Sequence, residues 1–330
     1  MEYTKGVRLS RPVARAAPWA AGVSMLGVLG GCPQLLDDTF SVQPALPGVG
    51  LNGNGGSSPA GADAGAVVPD PEDEVGPEEE PGIEGEPAVT ELGSLVAHRY
   101  DFDGSGSAVL DSVGTAHGTS IGASLDGSGK LYLSGNDQYV NLPDGLISGF
   151  ESVSIECWIN WAGSAGSYWG AGEEGTWQNL FTFGTSDRGV DQQGVGTRYI
   201  YLTPQPPSTY GDNVRAGYSL TGFNTESFVS GDRPLPISSD TERGTQVVYV
   251  LDGARNQLSI FIDGQLEVTS SSSQQIDLSE IPDVNNWLGR SQFLESPEFE
   301  GELLDVRVYA VPLSLAQVEL SFDLGADAEL

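Results

Sequence analysis

Several groups of residues in this chain have the types and spacing that chemistry requires. The run DVNNWLGRSQF, Asp283 to Phe293, sets two Asn, a Trp, a Gly, an Arg and a Gln side by side, as a ligand site would. Glu298, Glu300 and Glu302 follow at two-residue intervals. On one face of a strand such residues stand about 6.5–7 Å apart, close to the separation of paired glycosidase carboxylates. Gly301 interrupts the series, and in so acidic a chain a solvated acidic edge is the plainer reading. Asp101, Asp103, Ser105 and Gly106 imitate the opening of a calcium loop, but Ser112 stands where its bidentate acid belongs. The two histidines, His98 and His117, have no Ser or Cys elbow beside them, and neither a G-x-S-x-G turn nor a phosphate loop occurs. No catalytic assignment follows, and the chain is expected not to be an enzyme.

Aromatic residues on glycine-rich stretches offer a different chemistry. AGSAGSYWGAGEEGTWQ carries Tyr168, Trp169 and Trp177, and TPQPPSTYGDN carries Tyr210. Exposed rings on such loops suit stacking against sugars, which makes these four the candidate ligand-binding residues. The competing reading is that the rings anchor their own long loops.

The positioning elements divide into three parts. Residues 1–31 combine a basic stretch (Lys5, Arg8, Arg11, Arg15) with a short apolar run ending Leu29-Gly30-Gly31-Cys32. The run is shorter than the roughly 20 residues of a spanning helix, so it reads as an export signal. Its end resembles the lipobox of bacterial lipoprotein signal peptides, which implies acylation at Cys32. Pro33, not Asp, follows the Cys, so an outer-membrane or cell-surface anchor is expected. Acylation of Cys32 leaves Cys157 without a disulfide partner.

Residues 32–92 form an acidic Gly/Pro-rich linker. Between Asp37 and Glu91 there are 13 acidic residues and no Lys or Arg. Such a composition cannot support a core and is expected to be a disordered stalk, about 40–45 Å from end to end on average. The whole chain carries a formal charge of −32, which disfavours nucleic acid as a partner.

Residues 93–325 are expected to form one all-β domain, an antiparallel two-sheet sandwich. In SVSIECWINW, Val153, Ile155, Cys157, Ile159 and Trp161 alternate with Ser154, Glu156 and Asn160, a half-buried strand with Cys157 in the core. In LSIFIDGQLEV, Asp263-Gly264 is a two-residue hairpin turn, and Asp252 to Asn256 turns the preceding strand QVVYVL. Near the C-terminus Val306 and Val308 face one way and Arg307 and Tyr309 the other, before a Ser314/Gln317 capping box opens a short helix. No βαβ alternation is present.

The runs HRYDFDGSG, VLDSVGTAHGT, LDGSGKLYLSGNDQYVNLP, SIECWINW, LSIFIDGQL, NNWLGRS and FEGELLDVRVYAVPLSLAQV resemble, in order and spacing, the laminin G-like (concanavalin A-like) jelly roll of bacterial surface proteins. The resemblance spans about Ser94 to Leu320. It implies two curved antiparallel sheets and a tendency to bind glycans or proteins. It also implies that NNWLGRS is a late packing strand, with Trp287 and Leu288 filling the sandwich, Asn285 and Asn286 in the turn before it and Arg290 beside an acid. Related jelly rolls hold a structural calcium between a first-strand Asp and a closing-strand acid, here Asp103 and Asp305, although Leu304 replaces one usual ligand. The family's hydrolase motif, Glu-x-Asp-x-x-Glu, is absent. The function expected is a surface-anchored binding module for a polysaccharide or glycoprotein. The alternatives are a structural or protein-interaction component of the envelope and, more remotely, a glycoside hydrolase of the same fold.

Overall fold

The computed structural model describes residues 91–163, 176–237, 243–272 and 274–330. Cys32, the signal and the linker as far as residue 90 lie outside them, as do Tyr168 and Trp169. In chain order the strands are β1 (Val96–Tyr100), β2 (Ser105–Gly106), β3 (Ala108–Val109), β4 (Gly118–Ile121), β5 (Leu125–Asp126), β6 (Leu131–Ser134), β7 (Tyr139–Leu142), β8 (Val153–Trp161), β9 (Phe181–Ser186), β10 (Gly196–Thr203), β11 (Arg215–Ser219), β12 (Ser227–Ser230), β13 (Thr245–Asp252), β14 (Gln257–Ile262), β15 (Gln265–Ser271), β16 (Asn285–Leu288) and β17 (Glu300–Tyr309). A helix, Leu315–Leu324, follows.

The strands form an antiparallel sandwich. One sheet runs β1-β17-β8-β13-β14-β15, with β6 also pairing with β17; the other runs β12-β11-β10-β9-β16-β7-β4-β3. Their inner faces make the main core, where Ile155, Cys157 and Ile159 of β8 meet Phe181 and Phe183 of β9 and Ile200 and Leu202 of β10. Across the gap the Phe181 and Tyr249 rings meet edge to face at 5.5 Å. Burial pushes the Cys157 thiol far above its ordinary pKa, so it behaves as a core hydrophobe. The hairpin between β14 and β15 turns at Asp263 (φ 49°) and Gly264 (φ 77°), the two successive positive φ values that an Asp-Gly turn provides.

The expectation of a half-buried β8 is corrected. All nine of its residues are buried, because the helix Leu315–Leu324 and its flanks cover the outer face of this sheet. Ser314 caps that helix as expected, its hydroxyl accepting from the Gln317 amide while the Gln317 side chain accepts from the Ser314 amide. Under the cover, Glu156 accepts hydrogen bonds from Trp158 Nε1 (2.9 Å), Gln246 Nε2 (2.7 Å), the Tyr309 hydroxyl (2.6 Å) and the Ser321 hydroxyl (2.7 Å). Arg307 Nη1 stands 3.6 Å from it, both side chains fully buried. A buried carboxylate is tolerable only with such saturation.

The acidic edge expected at Glu298–Glu302 is likewise corrected. β17 is an inner strand, held by β8 on one side and by β1 and β6 on the other. Glu302 lies 2.7 Å from Lys130 Nζ and accepts from Asn160. Glu298 accepts from the Gln138 amide at 2.8 Å and faces Arg290.

Candidate functional site

Among the described residues no helix covers the outer face of the eight-stranded sheet, where the cleft-lining residues are polar and aromatic. In TRYIYLT, Ile200 and Leu202 point into the core, so Tyr199 and Tyr201 must point out. Both line a cleft of about 280 Å³, roofed by segments that lie far apart in sequence. Trp177 and Asn179 come from the approach to β9, Tyr210 from the β10–β11 loop, Phe223 and Glu226 from the β11–β12 loop, and Ser291 and Phe293 from the stretch after β16.

The floor is built around one carboxylate. Glu226 accepts from the Tyr199 hydroxyl at 2.7 Å and the Tyr201 hydroxyl at 2.6 Å. Burial raises the Glu226 pKa, against the opposing pull of the two phenols and Arg215. Burial, reinforced by the Glu226 charge, also pushes both phenols well above their ordinary value, so they keep their protons and act as donors. Gly217 on β11 makes the room: a Cβ there would lie 2.5 Å from Tyr201 Cε1. The walls are rings. Trp177 and Tyr210 meet at 5.3 Å, Tyr199 and Phe293 at 5.6 Å, and Phe223 and Phe293 at 6.2 Å. Tyr210 and Phe223 remain half exposed, at 50% and 51%.

Of the four aromatic residues expected to bind ligand, the structure therefore brings Trp177 and Tyr210 together at one cleft. Tyr168 and Trp169 lie outside the described residues. Tyr199, Tyr201, Arg215, Phe223, Glu226 and Phe293 were missed. The two tyrosines carried a signal, an aromatic pair alternating with aliphatic residues, which marks a strand with two occupied faces. The others come from separate loops and left none.

The run Asn285–Arg290 is scaffold beside this cleft, with its expected roles revised. Asn285 and Asn286 are not in a turn but in β16, fully buried. Asn285 accepts from the Asp191 amide and donates to Gly189 O, and Asn286 donates to Pro143 O and Asp283 O, so they tie loops to the sheet. Leu288 does fill the sandwich. Trp287 does not: it faces outward, donating to Asn141 Oδ1 at 2.8 Å, with the Arg290 guanidinium 4.8 Å from its ring.

The calcium expectation meets a different chemistry. Asp305 is buried against two guanidiniums, with Arg99 Nε at 2.8 Å and Arg307 Nε at 2.8 Å. Burial raises its pKa to about 6 despite Arg307 and Arg99. Asp103 is exposed, and its amide donates to Asp101 Oδ1 at 3.3 Å, ordinary turn chemistry. A cation at Asp305 would meet two positive charges, so this pair does not fit calcium, and among the described residues no cluster of three His, Cys, Asp or Glu is arranged for a metal. The histidines are structural too. His98 Nδ1 lies 2.8 Å from Asp111 Oδ2, and His117 Nδ1 accepts from the Asp111 amide. Although burial opposes it, hydrogen bonds from the Gly114 amide, His98 and the Arg99 and Ala116 amides hold Asp111 at a pKa of about 2.

Comparison with known proteins places this architecture. The family model described as the concanavalin A-like lectin/glucanases superfamily matches residues 134–319. The chain belongs to that superfamily. Domain 4 of AbnA, an extracellular arabinanase from Geobacillus stearothermophilus solved with arabinotriose, superposes with a TM-score of 0.50 at 19% identity, over 68% of this chain and 96% of that one. CBM40 of the Ruminococcus gnavus IT-sialidase, bound to α2,3-sialyllactose, aligns at 16% identity over 55% of this chain and 94% of that one, with a TM-score of 0.38. The sialidase of Trypanosoma rangeli aligns at 14% identity over 69% of this chain and 33% of that one, with a TM-score of 0.46. At such identities the likeness is one of fold. No curated protein sequence matches the chain.

Proposed function

We propose that this superfamily member is a surface-anchored binding module whose head takes a glycan in the cleft over β10. The observation that carries the reading is the pairing of half-exposed rings with a hydrogen-bonding floor, on a broad sheet face that no helix covers among the described residues. Ring faces stack on the apolar faces of sugars, while Asn179, Thr182, Ser291 and Ser296 offer groups for hydroxyls. The superfamily's lectin members, and the bound arabinotriose of the arabinanase domain, accord with this reading. The reading is one of binding: the paired-carboxylate route of most glycosidases needs a second carboxylate, and among the described residues that line the cleft Glu226 stands alone, both its oxygens engaged by tyrosines.

The test is a glycan array probed with the full-length chain and with Phe223→Ala. The reading expects a defined glycan, or a short series sharing one unit, to bind wild type and to lose at least about tenfold in affinity in the variant. Unchanged binding in Phe223→Ala would contradict the site. The same proposal has Cys32 acylated, holding the chain at the outer membrane or cell surface, with residues 33–92 as a spacer. Cys32→Ser should move the protein from the membrane fraction to the soluble one. Retention in the membrane fraction would remove the lipid anchor from the account.

A further inference from the structure

Two charged groups, Arg215 and Glu226, line the cleft. Arg215 sits at one end of β11, facing Thr203 on β10 and Ser230 on β12. Glu226 immediately precedes Ser227, which pairs with Tyr218 three residues further along β11. At strand spacing their backbone positions stand about 10 Å apart along the sheet, and the two charges act on each other through space. No ion pair joins them.

Arg215 is nearly enclosed, at 8% exposure. Its Nε donates to Ser230 Oγ at 3.2 Å and its Nη2 to Tyr210 O at 2.6 Å. The Phe228 ring lies 4.0 Å from the guanidinium carbon and the Trp177 ring 5.5 Å from it. Among the described residues no carboxylate pairs with this guanidinium and none accepts from its Nη1. The contrast within the same domain is plain: Arg99, Arg290 and Arg307 each face an acid of the chain itself. Glu226 acts on this guanidinium only through space, so among the described residues the charge has no acid in ion-pair contact to offset its burial.

Resting on the reading that the cleft takes a glycan, we infer that the glycan is an acidic one. Its anionic substituent, carboxylate or sulfate, is received by Arg215, while its hydroxyls extend toward Glu226. The rings of Trp177 and Tyr210 flank the Arg215 end, so the charged sugar stacks where its charge is met. The net charge of −32 does not prevent this, because acids elsewhere on the chain are screened beyond about 8 Å at physiological salt, whereas a contact in the cleft is not.

The test titrates the full-length chain with matched oligosaccharides: a uronic-acid oligosaccharide against its carboxyl-reduced counterpart, and a sulfated oligosaccharide against its desulfated counterpart. The acidic member of at least one pair should bind about tenfold or more tighter, and the pair that shows the difference names the group. Arg215→Gln should abolish that preference, with the circular dichroism spectrum and melting temperature reporting that the variant is folded. Arg215→Lys, which keeps the charge without the planar fork, should restore part of it. Equal binding by both members of both pairs, or a preference that survives Arg215→Gln, overturns the inference and leaves glycan binding standing. Silence from every member together with a silent array overturns the glycan reading beneath it.

Discussion

The two sheets carry, on their outer faces, the same set of groups with opposite outcomes. On one, Glu156 accepts from a tyrosine hydroxyl with Arg307 beside it; on the other, Glu226 accepts from two tyrosine hydroxyls with Arg215 along the same face. The first set is sealed beneath the helix Leu315–Leu324, every oxygen of Glu156 saturated and its arginine paired. The second opens into a cleft, and among the described residues no acid forms an ion pair with its arginine. A polar outer face that a helix covers becomes a fastening. Left open, it is the face on which we place the ligand.

The largest expected effect breaks the sealed side. Glu156→Leu removes one of the two acids beside Arg307 and leaves the donors of Trp158, Gln246, Tyr309 and Ser321 without their acceptor, and urea denaturation should report a loss of about 3–5 kcal/mol, with the C-terminal helix loosened. A loss below about 1 kcal/mol, the scale of an ordinary neutral hydrogen bond, would mean the network fastens nothing.

Next comes pH. Asp305 belongs to the sealed side, and its folded pKa of about 6 stands above the ordinary 3.8. A carboxyl raised in this way favours folding while protonated, so its contribution is complete below about pH 3.8 and is lost as the pH rises through about 6. Relative to Asp305→Asn, which cannot titrate, wild type should lose about 3 kcal/mol of stability between those values, one pKa unit corresponding to about 1.4 kcal/mol. A difference independent of pH would contradict it.

On the open side the effects should appear first in binding. Gly217→Val, which drives a side chain into the Tyr201 ring, should close the cleft and reduce affinity for the array-identified glycan at least about tenfold, with a stability cost of about 1–3 kcal/mol from overpacking. The smallest expected effect is that of a chelator. With Asp305 held by Arg99 and Arg307, melting temperature and glycan affinity should not change when calcium is replaced by EDTA. A calcium-dependent shift would place a metal elsewhere in the chain.

Much of the sheet framework was legible in the sequence because its signals are local. The alternation in SVSIECWINW, the Asp263-Gly264 turn and the Ser314 cap each depend on neighbours within a few residues. What covers a strand is not local. Glu156 read as the wet side of β8 because the Ser321 that seals it comes 165 positions later. The cleft was hidden for the same reason. Tyr199 and Tyr201 announce a second occupied face, but Glu226, Arg215 and Phe293 join them only through strand register and loop closure. Asp305 misled for a related reason, since its two arginines come from β1 and from its own strand, where nothing in the spacing shows which side chain will claim it.

The most direct measurement is amide hydrogen exchange on the full-length chain, with and without the glycan that the array identifies. The account predicts slowed exchange in Tyr199–Thr203, Arg215–Ser219 and Phe223–Ser230, with β13, β14 and β15 of the covered sheet unchanged. Protection confined to the covered sheet, or to none of the cleft segments, would contradict the claim that the uncovered face is where the ligand binds.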